Sequence, residues 1–177
     1  MVQRGVTPWP EDLTATKSKC ILADPPWRFR DKLDKTRTLS RHYETMNLAE
    51  LAALPVWEIA EDDSVLLLWC PASMLMEGIG VLCEWGFTYK TMLVWIKPRI
   101  GMGHYFRTAH ECLLLGIRGH PKVQNHSQPS WIMAPVQDHS HKPEEIYDIL
   151  ERMFSGPYVE LFARKERAGW RSWGKQL

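Results

Sequence analysis

The stretch Ile21-Leu22-Ala23-Asp24-Pro25-Pro26-Trp27 decides the fold, because it predicts a buried strand that ends at a carboxylate, two prolines and a tryptophan. A short apolar run bounded by such residues is typical of a strand in a sheet interior. Neither proline has an N–H group, so neither can continue a hydrogen-bonded ladder. We therefore expect the strand to stop at Asp24. Ligands of open α/β sheets bind just outside the carboxyl ends of strands, so we expect this loop to hold the functional site.

The residue types of this loop suit an amine on a flat ring. The Asp24 carboxylate can accept a hydrogen bond from an exocyclic NH2 group, and the backbone carbonyls of Asp24 and Pro25 can accept the second hydrogen. Trp27 offers a π-face on which a base could stack. The alternative is an ordinary turn after a strand, with Trp27 packed in the core, because Pro and Asp are common turn residues.

Composition predicts an ordinary globular chain. The 177 residues suffice for one domain, with residues 1–19 as a loose arm and residues 20–177 as the domain. The net charge of +1 gives no strong global attraction to nucleic acid, and a local basic run at residues 32–41 is either a solvated loop or a phosphate contact. The four cysteines have no C-x-x-C spacing, which favours buried free thiols. Without a signal-peptide core or an 18-residue apolar run, we expect a cytoplasmic protein with no membrane contact.

Strands and helices alternate along the chain, which predicts an α/β fold. Asn47 and Glu50 form a capping-box pattern at the start of one helix, and Gly86 is suited to end the next. Residues 61–63 are expected to form an acidic turn. Pro143 is expected at the first position of a third helix, with Lys142 just outside its N-terminus. Further strands are predicted at residues 65–69, 87–96, 112–117, 131–133 and 158–163, and helices at residues 48–54, 72–85 and 143–153.

Eight sequence blocks in a constant order carry a family resemblance. The chain resembles the MT-A70-like family of S-adenosylmethionine (SAM)-dependent adenine-N6 methyltransferases in their compact bacterial or phage form. This resemblance implies a Rossmann-like class I methyltransferase sheet with helices on both faces, in a permuted order with the catalytic strand first and the cofactor strand near the C-terminus. The blocks are DPPW at 24–27, HYETM at 42–46, LLLWCPASM at 66–74, EWGF at 84–87, VWIKP at 94–98, RTAHECLLLGIRG at 107–119, HSHKPEEIYDILERM at 139–153 and ELFARKERAGWRSWG at 160–174.

The resemblance also implies roles for individual residues and a cofactor, SAM, without a metal. One departure is Lys175, which stands where the family usually has an asparagine that would bind a ribose hydroxyl. The implied catalytic residues are Asp24, Pro25, Pro26 and Trp27; the cofactor-binding residues are Asp24, Lys142, Glu160, Arg164 and Gln176; the substrate-binding residues are Tyr43, Trp95, Lys97, Arg107 and Glu111.

The function implied is methyl transfer from SAM to N6 of adenine in a nucleic acid, with DNA favoured over RNA and with a homodimer or a partner subunit as a possible source of specificity. A catalytically inactive homologue that binds nucleic acid or acts as a scaffold is the alternative. A metal-dependent hydrolase that uses the histidines is disfavoured, because His139-x-His141 is one weak pair and no H-E-x-x-H or H-x3-H spacing occurs.

Overall fold

A seven-stranded mixed sheet forms the centre of the computed structural model, which describes residues 8–28, 45–101, 103, 105–137 and 141–174. The strands lie in the order β5-β3-β4-β2-β1-β6-β7 across the sheet. Their bounds are Ser18–Ala23 (β1), Ala60–Cys70 (β2), Thr88–Ile96 (β3), His110–Arg118 (β4), Trp131–Met133 (β5), Tyr158–Leu161 (β6) and Trp170–Trp173 (β7).

Helices cover both faces of this sheet. Side chains alternate along each strand, so one set of apolar residues enters each of two cores. Ile21, Leu66 and Leu114 pack in the first core, and Leu22, Leu67 and Leu113 pack in the second. The first core is covered by α1 (Glu11–Ala15), α2 (Leu48–Ala52) and α3 (Leu75–Glu84), and the second by α4 (Glu145–Met153). This is the Rossmann-like α/β arrangement expected from the sequence, while the permuted order stays a prediction.

The pairing of β1 brings three carboxyl ends to one edge of the sheet. β1 is parallel to β2 on one side and to β6 on the other, with Ala23 opposite both Leu68 and Leu161. β4 is antiparallel to β2, so its first residues lie at the same edge. The predicted closure of the sheet between residues 21–24 and 159–163 is confirmed by the β1–β6 pairing.

Local sequence signals placed two helix boundaries correctly, the start of α2 and the glycine after α3. The Asn47 side chain accepts a hydrogen bond from the Glu50 N–H at 3.0 Å, and a Glu50 carboxylate oxygen accepts one from the Asn47 N–H at 2.7 Å. The predicted capping box is therefore present. Gly86 follows α3 with φ of +87°, a conformation that a glycine adopts without a Cβ penalty. None of the helices in the described parts of the chain is long and apolar enough to cross a membrane.

Residues 1–19 are not the loose arm that the sequence predicted, as far as their described part extends. Trp9 and Leu13 are buried, and the Trp9 indole N–H donates to the Pro55 carbonyl at 3.1 Å. Arg171 of β7 donates to the Asp12 carbonyl at 2.8 Å and to the Ser18 hydroxyl at 2.7 Å. The prediction failed because the partners of these side chains lie far away in the sequence. The division into an arm and a domain stays a prediction.

Other boundaries also differ from the sequence-based expectations. Residues 61–63 belong to β2 rather than to a turn. Their carboxylates have partners at the end of β4 and just after it: Asp63 accepts a hydrogen bond from the His120 N–H at 2.8 Å, and Asp62 lies 3.4 Å from Arg118. Residues 72–74 form a 3-10 turn before α3 begins. The first residue of α4 is Glu145, so Pro143 lies just before the helix. β7 was not predicted, because Arg171 and Ser172 lie between its two tryptophans and leave no apolar run.

Candidate active site

Asp24 lies at the sheet edge where three strands end. Because Ala23 is in register with Leu68 of β2 and Leu161 of β6, the next residue of each strand flanks Asp24. These residues are Trp69 on one side and Phe162 on the other. Phe162 has a φ of +63°, which is uncommon for a residue with a side chain and marks the point where the chain leaves β6. The first sequence prediction, a carboxylate just outside a buried strand, is confirmed.

A chain of alternating charges surrounds this carboxylate. The Lys142 ammonium lies 3.0 Å from Asp24 Oδ1 and 3.3 Å from Glu111 Oε2, and Lys97 forms an ion pair with the other Glu111 oxygen. All four side chains are less than a quarter exposed. Lys142 also lies over the Trp69 ring, 5.6 Å from its centroid. Residues from β1, β4 and the segment before α4 are thus held together by charge.

Burial and charge act in opposite directions on the two carboxylates. Burial raises the pKa of Asp24, although the nearby cations Lys142 and Arg164 oppose this increase. Burial also acts to raise the pKa of Glu111, but Lys142 and Lys97 outweigh it and hold that pKa below its usual value. Asp24 is therefore the better proton acceptor of the two, and Glu111 is the more firmly ionised.

The Asp-Pro-Pro-Trp loop is anchored to the core by its tryptophan. The Trp27 indole N–H donates to the Trp69 carbonyl at 2.8 Å, and the Trp27 backbone N–H donates to the Pro25 carbonyl at 2.9 Å. Trp27 is only 8% exposed. The expectation that Trp27 offers an open face to a base is therefore wrong in this structure, and the alternative of a core tryptophan is correct. The Pro25 carbonyl keeps one free lone pair for a second donor.

An open cleft of about 220 Å³ extends from Asp24 along β6 to the start of α4. Glu160 of β6 lines the cleft and accepts a hydrogen bond from the Tyr147 hydroxyl at 2.9 Å. Burial raises the pKa of Glu160, the Tyr147 hydrogen bond opposes that effect, and Asp24 adds to it. The Arg167 guanidinium covers the Tyr147 ring at 4.1 Å and pairs with Glu144 at 2.9 Å, which fixes the tyrosine.

The donors and acceptors of this cleft fit SAM. Lys142 can hold a carboxylate, Asp24 can accept from an ammonium group, and the buried Glu160 can accept from hydroxyl groups. Arg164 also lines the cleft, at the end opposite the β4 strand. The residues that the resemblance assigned to the cofactor thus lie together, except Gln176, which falls outside the described residues together with Lys175.

The structure separates the residues assigned to substrate. Lys97 and Glu111 belong to the charged cluster, whereas Arg107 is exposed on the loop between β3 and β4. Trp95 is 2% exposed, and its indole N–H donates to the Ala134 carbonyl at 2.9 Å, so its ring is closed to a substrate in this structure. Tyr43 lies outside the described residues.

Three residues of the site were not identified from the sequence. Trp69 and Phe162 flank Asp24, and the end-to-end register of parallel strands is the signal that could have found them. Tyr147 was missed because the apolar face of α4 was assigned to Ile146, Ile149 and Leu150, although Tyr147 is buried beside them. Within the described residues, no three His, Cys, Asp or Glu side chains form a group that could hold a metal ion.

Comparison with known proteins gives a consistent set of relatives. The MT-A70 family model matches residues 18–176. The chain is 31% identical to the N(6)-adenosine-methyltransferase MT-A70-like protein of Arabidopsis thaliana, over 89% of this chain and 23% of the relative. It is 31% identical to the human N(6)-adenosine-methyltransferase catalytic subunit METTL3, over 91% of this chain and 28% of the relative. It is 30% identical to the type II methyltransferase M.MunI of a Mycoplasma species, over 93% of this chain and 80% of the relative. The chain thus spans about a quarter of the plant and human relatives.

Proposed function

The chain belongs to the MT-A70 family of N6-adenosine methyltransferases, and we propose that it transfers a methyl group from SAM to N6 of adenine in a nucleic acid. DNA is favoured over RNA. The proposal is supported most by one observation, the position of Asp24. This carboxylate contacts Lys142 at 3.0 Å and also lines the cleft that contains Glu160. An acceptor for an amine and a pocket for a charged cofactor are therefore adjacent.

The residues of the site provide three elements of the reaction. Asp24 accepts a hydrogen bond from the N6 amine, and the Pro25 carbonyl accepts the second one with its remaining lone pair. These bonds turn the amine lone pair out of the ring and hold it in one direction. Bound SAM supplies the electrophilic methyl group. Since bringing two reactants into line is worth a large part of such a barrier, the stiff Asp-Pro-Pro loop contributes mainly by orientation.

The charged cluster keeps Asp24 in the state that this role requires. Burial raises the pKa of Asp24, so the carboxylate is well suited to take the proton that the amine must lose. Lys142 opposes part of this increase and so favours the ionised carboxylate. Glu111 holds Lys142 from the other side at 3.3 Å.

The choice of DNA rests on the resemblance of the sequence to the compact bacterial or phage members of the family. It is supported by the type II methyltransferase, 80% of whose length is covered by the similarity to this chain. The human and mouse relatives are named catalytic subunits. This supports a second subunit or a second copy of the chain as part of the proposal. A cytoplasmic location also belongs to the proposal.

Labelled SAM tests the proposal on single-stranded DNA, double-stranded DNA and RNA, with nucleoside mass spectrometry of the product. We expect N6-methyladenine, and we expect Asp24→Ala to abolish it while circular dichroism and thermal unfolding stay close to those of the parent. Retained methylation by Asp24→Ala would contradict the assigned role. If calorimetry detects SAM binding but no polymer is methylated, the inactive scaffolding function becomes the better explanation.

A further inference from the structure

The loop between β3 and β4 projects from the edge of the sheet that holds Asp24. We call residues 98–108 the β3–β4 arm; all of them except residues 102 and 104 are described. The backbone N–H of Lys97 donates to the Ala109 carbonyl at 2.8 Å, and that of Gly101 donates to the Thr108 carbonyl at 2.7 Å. The arm is thus an extension of the β3–β4 hairpin beyond the charged cluster.

Two neighbouring aromatic rings are presented at the end of this arm. Tyr105 is 98% exposed and Phe106 is 89% exposed. A Cβ atom on Gly103 would lie 2.0 Å from the Phe106 carbonyl oxygen, so the backbone can fold this closely only with a glycine there. The two exposed rings therefore lie at a compact turn of the backbone.

The charge of the arm favours a polyanion as its ligand. Between Lys97 and Glu111 the sequence contains no acidic residue, and Arg99 and Arg107 are both exposed. Aromatic rings next to cations are the combination that binds single-stranded nucleic acid, because bases stack on the rings while phosphates pair with the cations. A surface for another protein would not require this one-sided charge.

The arm also supplies what the site itself lacks. Trp27, the described residue expected to stack on a base, is buried, and so is Trp95, which was assigned to the substrate. The Tyr105 ring belongs to a residue four positions from Ala109, hence at most about 13 Å along an extended chain from the base of the arm. The two rings therefore stay close to the end of the sheet that holds Asp24.

We infer that the β3–β4 arm is a stacking platform that binds an unpaired stretch of nucleic acid beside the target adenine through Tyr105 and Phe106. The inference rests on the proposed function for the identity of the target, but not for the binding itself. It predicts that single-stranded substrates bind more tightly than duplexes, because a paired base has no free face for the rings.

A binding experiment without SAM tests the arm independently of methyl transfer. The anisotropy of a fluorescein-labelled single-stranded DNA of about 12 nucleotides is followed with the parent, Tyr105→Ala, Phe106→Ala and the double variant. We expect each single change to weaken Kd by about tenfold and the double change by about a hundredfold, the scale of base–aromatic stacking. Tyr105→Trp is expected to retain parent affinity.

Trp57→Ala is the matched control. Trp57 is also exposed, at 43%, but its carbonyl accepts a hydrogen bond from Arg118 at the far end of β4. Arg118 lies eight residues along the strand from the first residue of β4, so the control lies about 27 Å from the arm. Arg107→Ala is expected to reduce the slope of log Kd against log salt by about 0.7, the value for one phosphate contact on a single strand.

Three outcomes would overturn the inference. One is unchanged binding by the double variant, and a second is an equal loss with Trp57→Ala. The third is a double variant that keeps its affinity for DNA but loses self-association in analytical ultracentrifugation, which would make the arm a protein interface. If the arm variants lose binding as expected while no polymer is methylated by the parent, the arm is supported and the proposed methyl transfer alone fails.

Discussion

Lys142 controls the protonation of Asp24, and Lys142→Met tests this relation. The Lys142 ammonium lies 3.0 Å from Asp24 Oδ1 in a partly buried position. Removing the cation leaves burial and the Glu111 charge, which raise the pKa of Asp24, opposed by the smaller effect of the Arg164 cation. In the proposed function Asp24 must be ionised to take the proton that the amine loses, so activity should require a higher pH in the variant.

The size of this effect follows from the distance. Two unit charges 3.0 Å apart attract each other by about 5.5 kcal/mol at an effective dielectric constant of about 20. This is an upper bound, because it equals about four pH units whereas neighbouring cations typically move a carboxyl by about one to three. We therefore expect the acid limb of the rate profile to move up by about one to three pH units.

The assay is kcat for methyl transfer as a function of pH at saturating SAM, so that a weaker cofactor affinity does not enter. Lys90→Met is the control for the loss of an exposed lysine on the same sheet. Lys97→Met is the informative control, because Lys97 pairs with Glu111, whereas the lysine that pairs with Asp24 is Lys142. Without Lys97 the pKa of Glu111 rises, its charge repels Asp24 less at low pH, and the acid limb should stay in place or move down.

An acid limb of Lys142→Met that coincides with that of the parent would refute the reasoning. A shift of equal size and sign in Lys97→Met would refute it as well, because it would show a general change in charge rather than a contact with Asp24. If transfer by Lys142→Met is too slow to measure, carbon NMR of the labelled Asp24 carboxyl reports the same titration without turnover.

Three further changes test other parts of the fold and site. Asn47→Ala should lower the free energy of unfolding by about 1 kcal/mol in urea titrations, because it removes the cap of α2, and Thr45→Ala should not. Gly116→Ala should cost about 1–3 kcal/mol, since its Cβ would lie 2.7 Å from Leu82 in the core, whereas Gly80→Ala meets no atom within 4 Å and should be neutral or stabilising. Glu160→Gln should raise the melting temperature at pH 8. The pKa of Glu160 is higher in the folded state than in the unfolded state, so above the folded-state pKa the charge of Glu160 opposes folding. The gain in melting temperature should disappear as the pH falls to the pKa of Glu160 in the unfolded state. An equal gain at pH 8 and at about pH 4 would contradict the raised folded-state pKa.

The sequence predicted those parts of the fold that depend on short-range patterns. Apolar runs located the main strands, and the pair Asn47 and Glu50 located the start of α2. Strand ends set by proline or by a carboxylate, such as the end of β1 before Asp24, also follow from the local chain. The sequence further placed a carboxylate and a cation, Asp24 and Lys142, in one site through a family resemblance.

Burial of single aromatic side chains could not be predicted in the same way. Trp27 and Trp95 are of a residue type that can stack on bases. However, each indole N–H has a carbonyl partner more than 35 residues away, at Trp69 and Ala134. Such partners are fixed by the lateral order of the strands, which the chain order does not specify. Residues 61–63 were misassigned for a similar reason, because their polar contacts lie near residue 118.

The burial of Trp27 changes how the Asp-Pro-Pro-Trp motif should be understood. Its indole N–H is bound to the carbonyl of Trp69, and the ring of the same Trp69 lies beneath Lys142. One tryptophan of β2 therefore supports both the loop that holds Asp24 and the cation that tunes its pKa. A rigid link of this kind suits a reaction that depends on orientation. Under the proposed function, the motif tryptophan would contribute by fixing the direction of the Asp24 carboxylate, and contact with neighbouring bases would fall to exposed rings such as Tyr105 and Phe106 on the β3–β4 arm.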